Sequence, residues 1–424
     1  MAPPKLVLPI LFVLLLVSLV AKINATQPQR SLYLPVFFRD TVFPPDAGAS
    51  PHDDRKQLRS PVQSGVPYHS GEYFAAVGVG SPSRRAFLVI DTGSDLTWLQ
   101  CAPCRRCYGQ ATPLYDPRRS ATYRRVPFDS PRCRELSFPV RDARTGGCLY
   151  TVVYGDGSSS RGEVATDRLA FPDGGVAHDN VTIGCGRDNE GLFGSGAAGV
   201  LGVGRGALSF PTQLAAEYGR VFAYCLGDRE ARAATSSSSS SYLPSAAFTP
   251  LRTNPRKPSL YYVDMAGFSV DGAPVAGFPA ADLALDAATG RGGVVVDSGT
   301  AISRFAAGTY AALRDAFDAR AAAAGMRNLR RNISVYDTCY DLQGIDVAAP
   351  ALRVPAVVLH FAGGADMALP RKNYLVPVDR DGFVGFEPSD NERNMLGNVQ
   401  QQGFQVVFDE ERKRIGFAPN GCSG

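Results

Sequence analysis

A chain of 424 residues is too long for one ordinary hydrophobic core and calls for about two domains. Hydrophobic residues make up 45% and charged residues 20%, a balance that excludes disorder throughout. The formal net charge is only +4, and the arginines are scattered with no long basic block, which argues against a nucleic-acid-binding protein.

The N-terminus reads as a targeting signal, residues 1–25. Lys5 supplies a thin positive start, Leu6 to Val20 an apolar run, and Ile23-Asn24-Ala25 a cleavage site. That run falls short of the roughly 20 residues a membrane span needs, so no membrane association is expected after cleavage. Residues 26–66, rich in Pro, Ser and charge and without periodicity, suit a removable prosegment or a disordered N-terminal region. Secretion makes most of the nine cysteines disulfide partners, and their odd number leaves at least one outside intramolecular bridges. The spacing Cys101-x-x-Cys104-x-x-Cys107 also permits zinc, but the compartment argues against it, and no metal or other cofactor is expected. Asn180 and Asn332 head glycosylation sequons.

From Gly71 the texture becomes β. Glu72 to Gly80 and Phe87 to Ile90 read as strands split by Ser81-Pro82, and short β-type runs recur to the end. Helical spacing is clearest from Gly308 to Ala324, with a shorter candidate over Phe210 to Tyr218. Ala231 to Ser241, ending in six serines, reads as a surface loop. The expected division is a first β lobe over 67–249, carrying a cysteine-rich insert, and a second over 250–424.

A faint internal repeat carries the chemistry. Leu88-Val89-Ile90-Asp91-Thr92-Gly93-Ser94 has a counterpart in Val294-Val295-Val296-Asp297-Ser298-Gly299-Thr300. Each is followed by an apolar-apolar-Gly segment, Val200-Leu201-Gly202 and Met395-Leu396-Gly397. One such tetrapeptide arises by chance in a few per cent of chains this long, two in under roughly one in a thousand. A single Asp of this kind would be a turn residue. Two of them, one from each half, imply a site on a pseudo-twofold axis.

Hydrolysing an amide without a covalent nucleophile needs one group to take a proton from water and another to protonate the oxyanion and leaving amine. Two adjacent carboxylates cannot both ionise cheaply, so one keeps a proton while its neighbour stays basic. Asp91 and Asp297 are therefore the candidate catalytic pair. Thr92, Ser94, Ser298 and Thr300 carry hydroxyls able to bond across the loops or to the carboxylates.

The paired tetrapeptides, with Tyr154-Gly155-Asp156-Gly157-Ser158 between them, resemble the pepsin-type aspartic proteases. Ser70-Gly71-Glu72-Tyr73-Phe74, the segment Cys101 to Cys148, Asn189-Glu190-Gly191-Leu192-Phe193 and Gly397-Asn398-Val399-Gln400-Gln401-Gln402 narrow the resemblance to the plant nepenthesin-like group. The resemblance implies a mostly β, bilobal fold and a monomeric endopeptidase with an acidic optimum, acting on extended polypeptide. It places Tyr154 on a flap with Trp98 behind it, and Gly93, Gly155, Asp156, Gly299 and Thr300 against the substrate backbone. It implies an extracellular location, with vacuole or plastid as alternatives. Two departures stand out: Phe128 replaces a usual Cys, and residues 382–386 lack the Cys expected to pair with Cys339. A catalytically silent relative that binds another protein is the rival reading, since fold alone never proves function.

Overall fold

The computed structural model describes residues 71–171, 176–193, 196–227, 246–329, 336–342, 353–378, 381–389 and 393–422, with the backbone of two short strands, Leu32–Leu34 and Val62–Ser64. The signal-type segment, most of 26–66, the serine run and Asn332 lie outside the described residues.

Two ten-stranded sheets organise the chain. The first runs Val62–Ser64, Tyr73–Val79, Arg84–Asp91, Gly199–Gly202, Trp98–Gln100, Ala177–Glu190, Ser159–Ala170, Cys148–Val153 and Val140–Arg141, with Arg124–Arg125 added beside Ser159–Ala170. Its central strands are apolar on both faces; every residue of Tyr73–Val79 is buried. The second sheet joins the two halves of the chain. Val221–Cys225 pairs antiparallel with Gln405–Asp409, and further along the same sheet lie Ala247–Arg252, Val294–Val296 and Asn394–Leu396. Phe222 stacks on Phe408 across that seam with centroids 4.6 Å apart.

One pairing recurs. Arg84–Asp91 lies parallel to Gly199–Gly202, setting Asp91 beside Gly202, and Val294–Val296 lies parallel to Asn394–Leu396. In both halves, then, the apolar-apolar-Gly segment flanks the strand that delivers the aspartate. Close approach explains the glycine at 199, where a Cβ would stand 2.0 Å from the Trp98 carbonyl oxygen.

The main helix is Ala307–Ala323, one residue earlier than its spacing predicts, and it buries Tyr310, Leu313, Phe317 and Ala321 on one stripe. Full burial of Phe317 alone is worth about 1.5–3 kcal/mol. The shorter expected helix forms as two single turns, Phe210–Gln213 and Ala215–Tyr218, separated at Leu214, whose ψ of 4° leaves the helical range.

Four disulfides form: Cys101–Cys185, Cys104–Cys107, Cys133–Cys148 and Cys225–Cys422. They consume all three thiols of the zinc-like spacing. Cys339 is buried and belongs to none of the four. The substitution at Phe128 orphans no sulfur among these, because Cys133 and Cys148 bond each other; Phe128 packs against the cluster around Phe74 and Trp98. Among the described residues no helix is long and apolar enough to cross a membrane.

Candidate active site

Asp91 ends its strand and Asp297 directly follows Val294–Val296, so two sheet strands from opposite halves aim their C-terminal ends at one point. Both aspartates are buried, each with 6% of its surface exposed. Their carboxyls share a side-chain hydrogen bond. The tightness of the junction shows at the glycines. A Cβ at Gly299 would lie 2.4 Å from Asp91 Oδ1, and one at Gly93 would lie 3.0 Å from Asp91 Oδ1 and 3.1 Å from Asp297 Oδ1. No larger residue fits there without moving a carboxylate.

The two loops hold their acids alike. The Gly93 N–H donates to Asp91 Oδ1 at 2.8 Å, and the Gly299 N–H to Asp297 Oδ1 at 2.9 Å. The Ser94 hydroxyl donates to Asp91 Oδ2, and the Thr300 hydroxyl to Asp297 Oδ2 at 2.7 Å. Beneath the acids, Thr92 N–H donates to Ser298 Oγ at 3.1 Å and Ser298 N–H to Thr92 Oγ1 at 2.9 Å. Each of those hydroxyls then donates into the opposite strand, Thr92 to the Val296 carbonyl and Ser298 to the Ile90 carbonyl. The cross-linked loops leave the carboxylates little freedom to rotate.

Burial and the neighbouring Asp297 charge push the Asp91 carboxyl up to about 7, against the lowering effect of its Ser94 and Gly93 donors. Burial also raises Asp297, while the Thr300 hydroxyl, the Gly299 N–H and the bond from Asp91 pull it back. The pair thus holds one proton across the mildly acidic range.

Over this dyad stands a hairpin. Cys148–Val153 turns back into Ser159–Ala170 with Val153 opposite Ser159, and the turn closes through Tyr154 N–H to the Ser158 carbonyl. Gly157 takes a φ of +86°, which favours glycine at that corner. Trp98 Nε1 donates to the Tyr154 hydroxyl at 2.6 Å. Burial first, then the charge of Asp91, raises the Tyr154 phenol well above its ordinary value, which places that hydroxyl within the field of the dyad. The Asp156 carboxylate, in an exposed residue at the hairpin tip, accepts from Ser158 N–H and Oγ at 2.9 and 2.7 Å, which braces the turn.

Some of the site escaped sequence reasoning. Phe193 contacts Trp98, Tyr154 and Tyr108 at centroid distances of 5.2, 5.7 and 5.0 Å, linking the cysteine-rich insert to the hairpin. Gln401, fully buried, accepts from the Tyr224 hydroxyl and donates to the Leu396 and Asp297 carbonyls. Both residues lie in segments that carry the resemblance, Asn189 to Phe193 and Gly397 to Gln402, but nothing in either segment announces these contacts.

Two β lobes that each deliver one acid, cross-linked by reciprocal hydroxyls and covered by a hairpin, define the bilobal architecture of the pepsin-like acid proteases. Solved structures agree on the fold: edgp superposes with a TM-score of 0.67 at 19% identity over 83% of this chain and 92% of its own, and basic 7S globulin from soybean with 0.65 at 19% over 85% and 95%. Family models described as xylanase inhibitor N-terminal and C-terminal match residues 73–243 and 260–419. Aspartyl protease family protein 2 of Arabidopsis thaliana is 46% identical over 371 residues, 86% of this chain and 74% of that protein. The aspartic proteinase nepenthesin-1 of Nepenthes gracilis is 32% identical over 370 residues, 86% and 81% of the two chains. The chain belongs to the pepsin-like plant aspartic protease family.

Proposed function

We infer that this chain is an aspartic endopeptidase in which Asp91 and Asp297 share one proton and activate a water between them. What carries the reading is the pair of buried carboxyls bonded to each other at the meeting point of the two lobes. The ionised acid takes a proton from water as the hydroxide attacks the peptide carbonyl carbon, while the protonated acid gives its proton to the carbonyl oxygen. On collapse of the tetrahedral intermediate the proton taken from water passes to the departing amine as the C–N bond breaks, and a hydroxyl of the intermediate returns its proton to the other aspartate, restoring the singly protonated pair. Thr92, Ser298, Ser94 and Thr300 keep the acids oriented, which saves reorganisation during reaction. The hairpin at Tyr154 closes over extended polypeptide and excludes further water, with Trp98 holding the tyrosine. Backbone groups at Gly93, Gly155, Asp156, Gly299 and Thr300 grip the substrate main chain.

The same reading divides the chain into lobes at 67–249 and 250–424, after a signal at 1–25 and a prosegment at 26–66. It makes the protein a secreted monomer that binds neither membrane nor nucleic acid and needs no cofactor. Asn180, exposed at φ +64° within Ala177–Glu190, is a glycosylation candidate on the surface. The competing reading is a silent binding protein, because the matched family models are described by inhibition.

The deciding experiment is digestion of an unfolded protein by the purified chain from pH 3 to 7, with and without pepstatin. Pepstatin-sensitive cleavage peaking in acid is the expected result. No cleavage at any pH after removal of residues 1–66, or a peak above neutrality, would overturn the endopeptidase reading.

A further inference from the structure

The two aspartate loops differ at the residue after the tetrapeptide: Asp95 in the first, Ala301 in the second. A second carboxylate four residues from Asp91 has no part in the proton transfers above, yet it is not a solvated surface group. Asp95 Oδ1 accepts from the Gly206 N–H at 2.8 Å, and the Ser259 hydroxyl lies near enough to favour the ionised carboxylate. A Cβ on Gly206 would stand 2.2 Å from Asp95 Oδ2, and one on Gly204 2.4 Å from Oδ1, so the segment Val203–Gly206 is pressed directly against it.

That segment is a strap between lobes. From the first lobe it is held by Val203 N–H to the Asp91 carbonyl and Gly204 N–H to the Ser94 carbonyl, both at 2.9 Å. From the second lobe it is held by Arg205 N–H to the Ser259 carbonyl at 2.9 Å and by the Tyr261 hydroxyl to the Val203 and Gly204 carbonyls at 3.0 Å. Arg205 extends the hold, pairing with Glu410 at 2.7 Å in a half-buried setting. Asp95 is the side chain that reaches from the aspartate loop to both sides of this junction, Gly206 on the strap and Ser259 beyond it.

We propose that Asp95 is a positioning residue, stapling the Asp91 loop to the strap and to the second lobe so that Ser94 and Asp91 meet Asp297 at a fixed separation. Ser94 is the immediate neighbour of the staple and donates to Asp91 Oδ2, so loosening Asp95 displaces that donor and the lobe spacing together. The second loop needs no such staple, because the Asn398 side chain donates to the Ser298 carbonyl at 3.1 Å and to the Gly71 carbonyl at 3.0 Å, fastening it across the lobes by another route. Burial and the nearby Glu410 charge raise the Asp95 carboxyl, and the Gly206 N–H and Ser259 hydroxyl oppose that rise.

The inference rests on the endopeptidase reading, and two arms keep the two apart. In the first, Asp95→Ala, which copies Ala301, and Asp95→Asn, which keeps the acceptor facing Gly206, are assayed per pepstatin-titrated active site. The expected result is a fall in kcat of about tenfold to a hundredfold for Asp95→Ala with KM changed by less than about threefold, and recovery to within about threefold of wild type in Asp95→Asn. A merely structural role would lower the number of titratable sites and leave kcat per site intact. In the second arm, amide hydrogen exchange over residues 203–206 should quicken at least about tenfold in Asp95→Ala and stay slow in Asp95→Asn, whether or not the wild type cleaves protein. Unchanged exchange, or Asp95→Ala with wild-type kcat per site, overturns the staple; an inactive wild type with the exchange difference intact overturns only the protease reading.

Discussion

Around the carboxylates the two aspartate loops are near-copies; the side chains that prop them from behind share little. Facing each other, Gly93 and Gly299 donate to the inner oxygens, Ser94 and Thr300 to the outer ones, and Thr92 and Ser298 exchange bonds across the axis. Underneath, the first loop rests on backbone bonds from Val203 and Gly204 with the Asp95 carboxylate added. The second is met by backbone in the same way, Asn398 N–H to the Thr300 carbonyl at 2.8 Å and Val399 N–H to the Ala301 carbonyl at 3.0 Å, but its added side chains are amides, Gln401 to the Leu396 carbonyl at 2.8 Å and Asn398 to the Ser298 carbonyl at 3.1 Å, with the Tyr224 hydroxyl donating to Gln401. Symmetry survives where both acids must be oriented alike. Support, which needs only rigidity and satisfied polar groups, has diverged.

The largest expected effect tests the symmetric half. Asp91→Asn and Asp297→Asn should each lower kcat about a thousandfold or more while the folded content stays unchanged, because either substitution removes the shared proton's partner. Substantial activity in one variant alone would mean that only one acid does the chemistry. Stability should respond in the opposite sense. The Asp91 carboxyl sits at about 7, above its ordinary 3.8, so its protonated form is favoured by folding. That contribution is fully present below about pH 3.8 and is lost as pH rises through about 7. Wild type should therefore lose several degrees of Tm relative to Asp91→Asn between pH 4 and 8, read by calorimetry on both proteins. Parallel Tm curves would show that Asp91 is not buried against a charged neighbour.

Smaller effects probe the divergent half. Gln401→Leu leaves the Tyr224 hydroxyl and the Leu396 carbonyl, both in buried residues, without this partner. The expected loss is about 1–3 kcal/mol in denaturant unfolding, with kcat falling as the Asp297 loop relaxes. An unchanged midpoint would mean that the amide network carries no load, and the contrast between the loops would then be one of sequence only.

What could be read in advance follows from how local each feature is. The aspartates, their glycines and their hydroxyls are contiguous tetrapeptides, and a strand of Val, Ile and Leu ahead of each announces a buried delivery route. The helix at Ala307–Ala323 declared itself through Leu313 and Phe317. Asp95, Gln401 and Phe193 act on partners over a hundred residues away or across an aromatic cluster, and no local pattern separates a stapling carboxylate from a turn residue. The bracing of the hairpin tip by Asp156 and Ser158 was hidden for the opposite reason: the partner is two residues away and offers an ordinary Asx turn. Disulfide partners were equally closed to reading, since nine cysteines allow many pairings.

The finest test sets Ser94 against Thr300. Both hydroxyls donate to the outer oxygen of their own acid, and both lower that acid's proton affinity. Removing either must therefore raise a carboxyl, by about half to one pH unit if the lost bond is worth about 0.5–1.5 kcal/mol. The limb that moves should differ. Asp91, up at about 7, governs the loss of the last proton, so Ser94→Ala should carry the alkaline limb of kcat/KM upward. At Asp297 burial's raising effect is opposed by Thr300, Gly299 and the bond from Asp91, so Thr300→Val should carry the acid limb upward instead. If both variants move both limbs together, the proton belongs to the pair without preference and the loops are equal in chemistry as well as in shape.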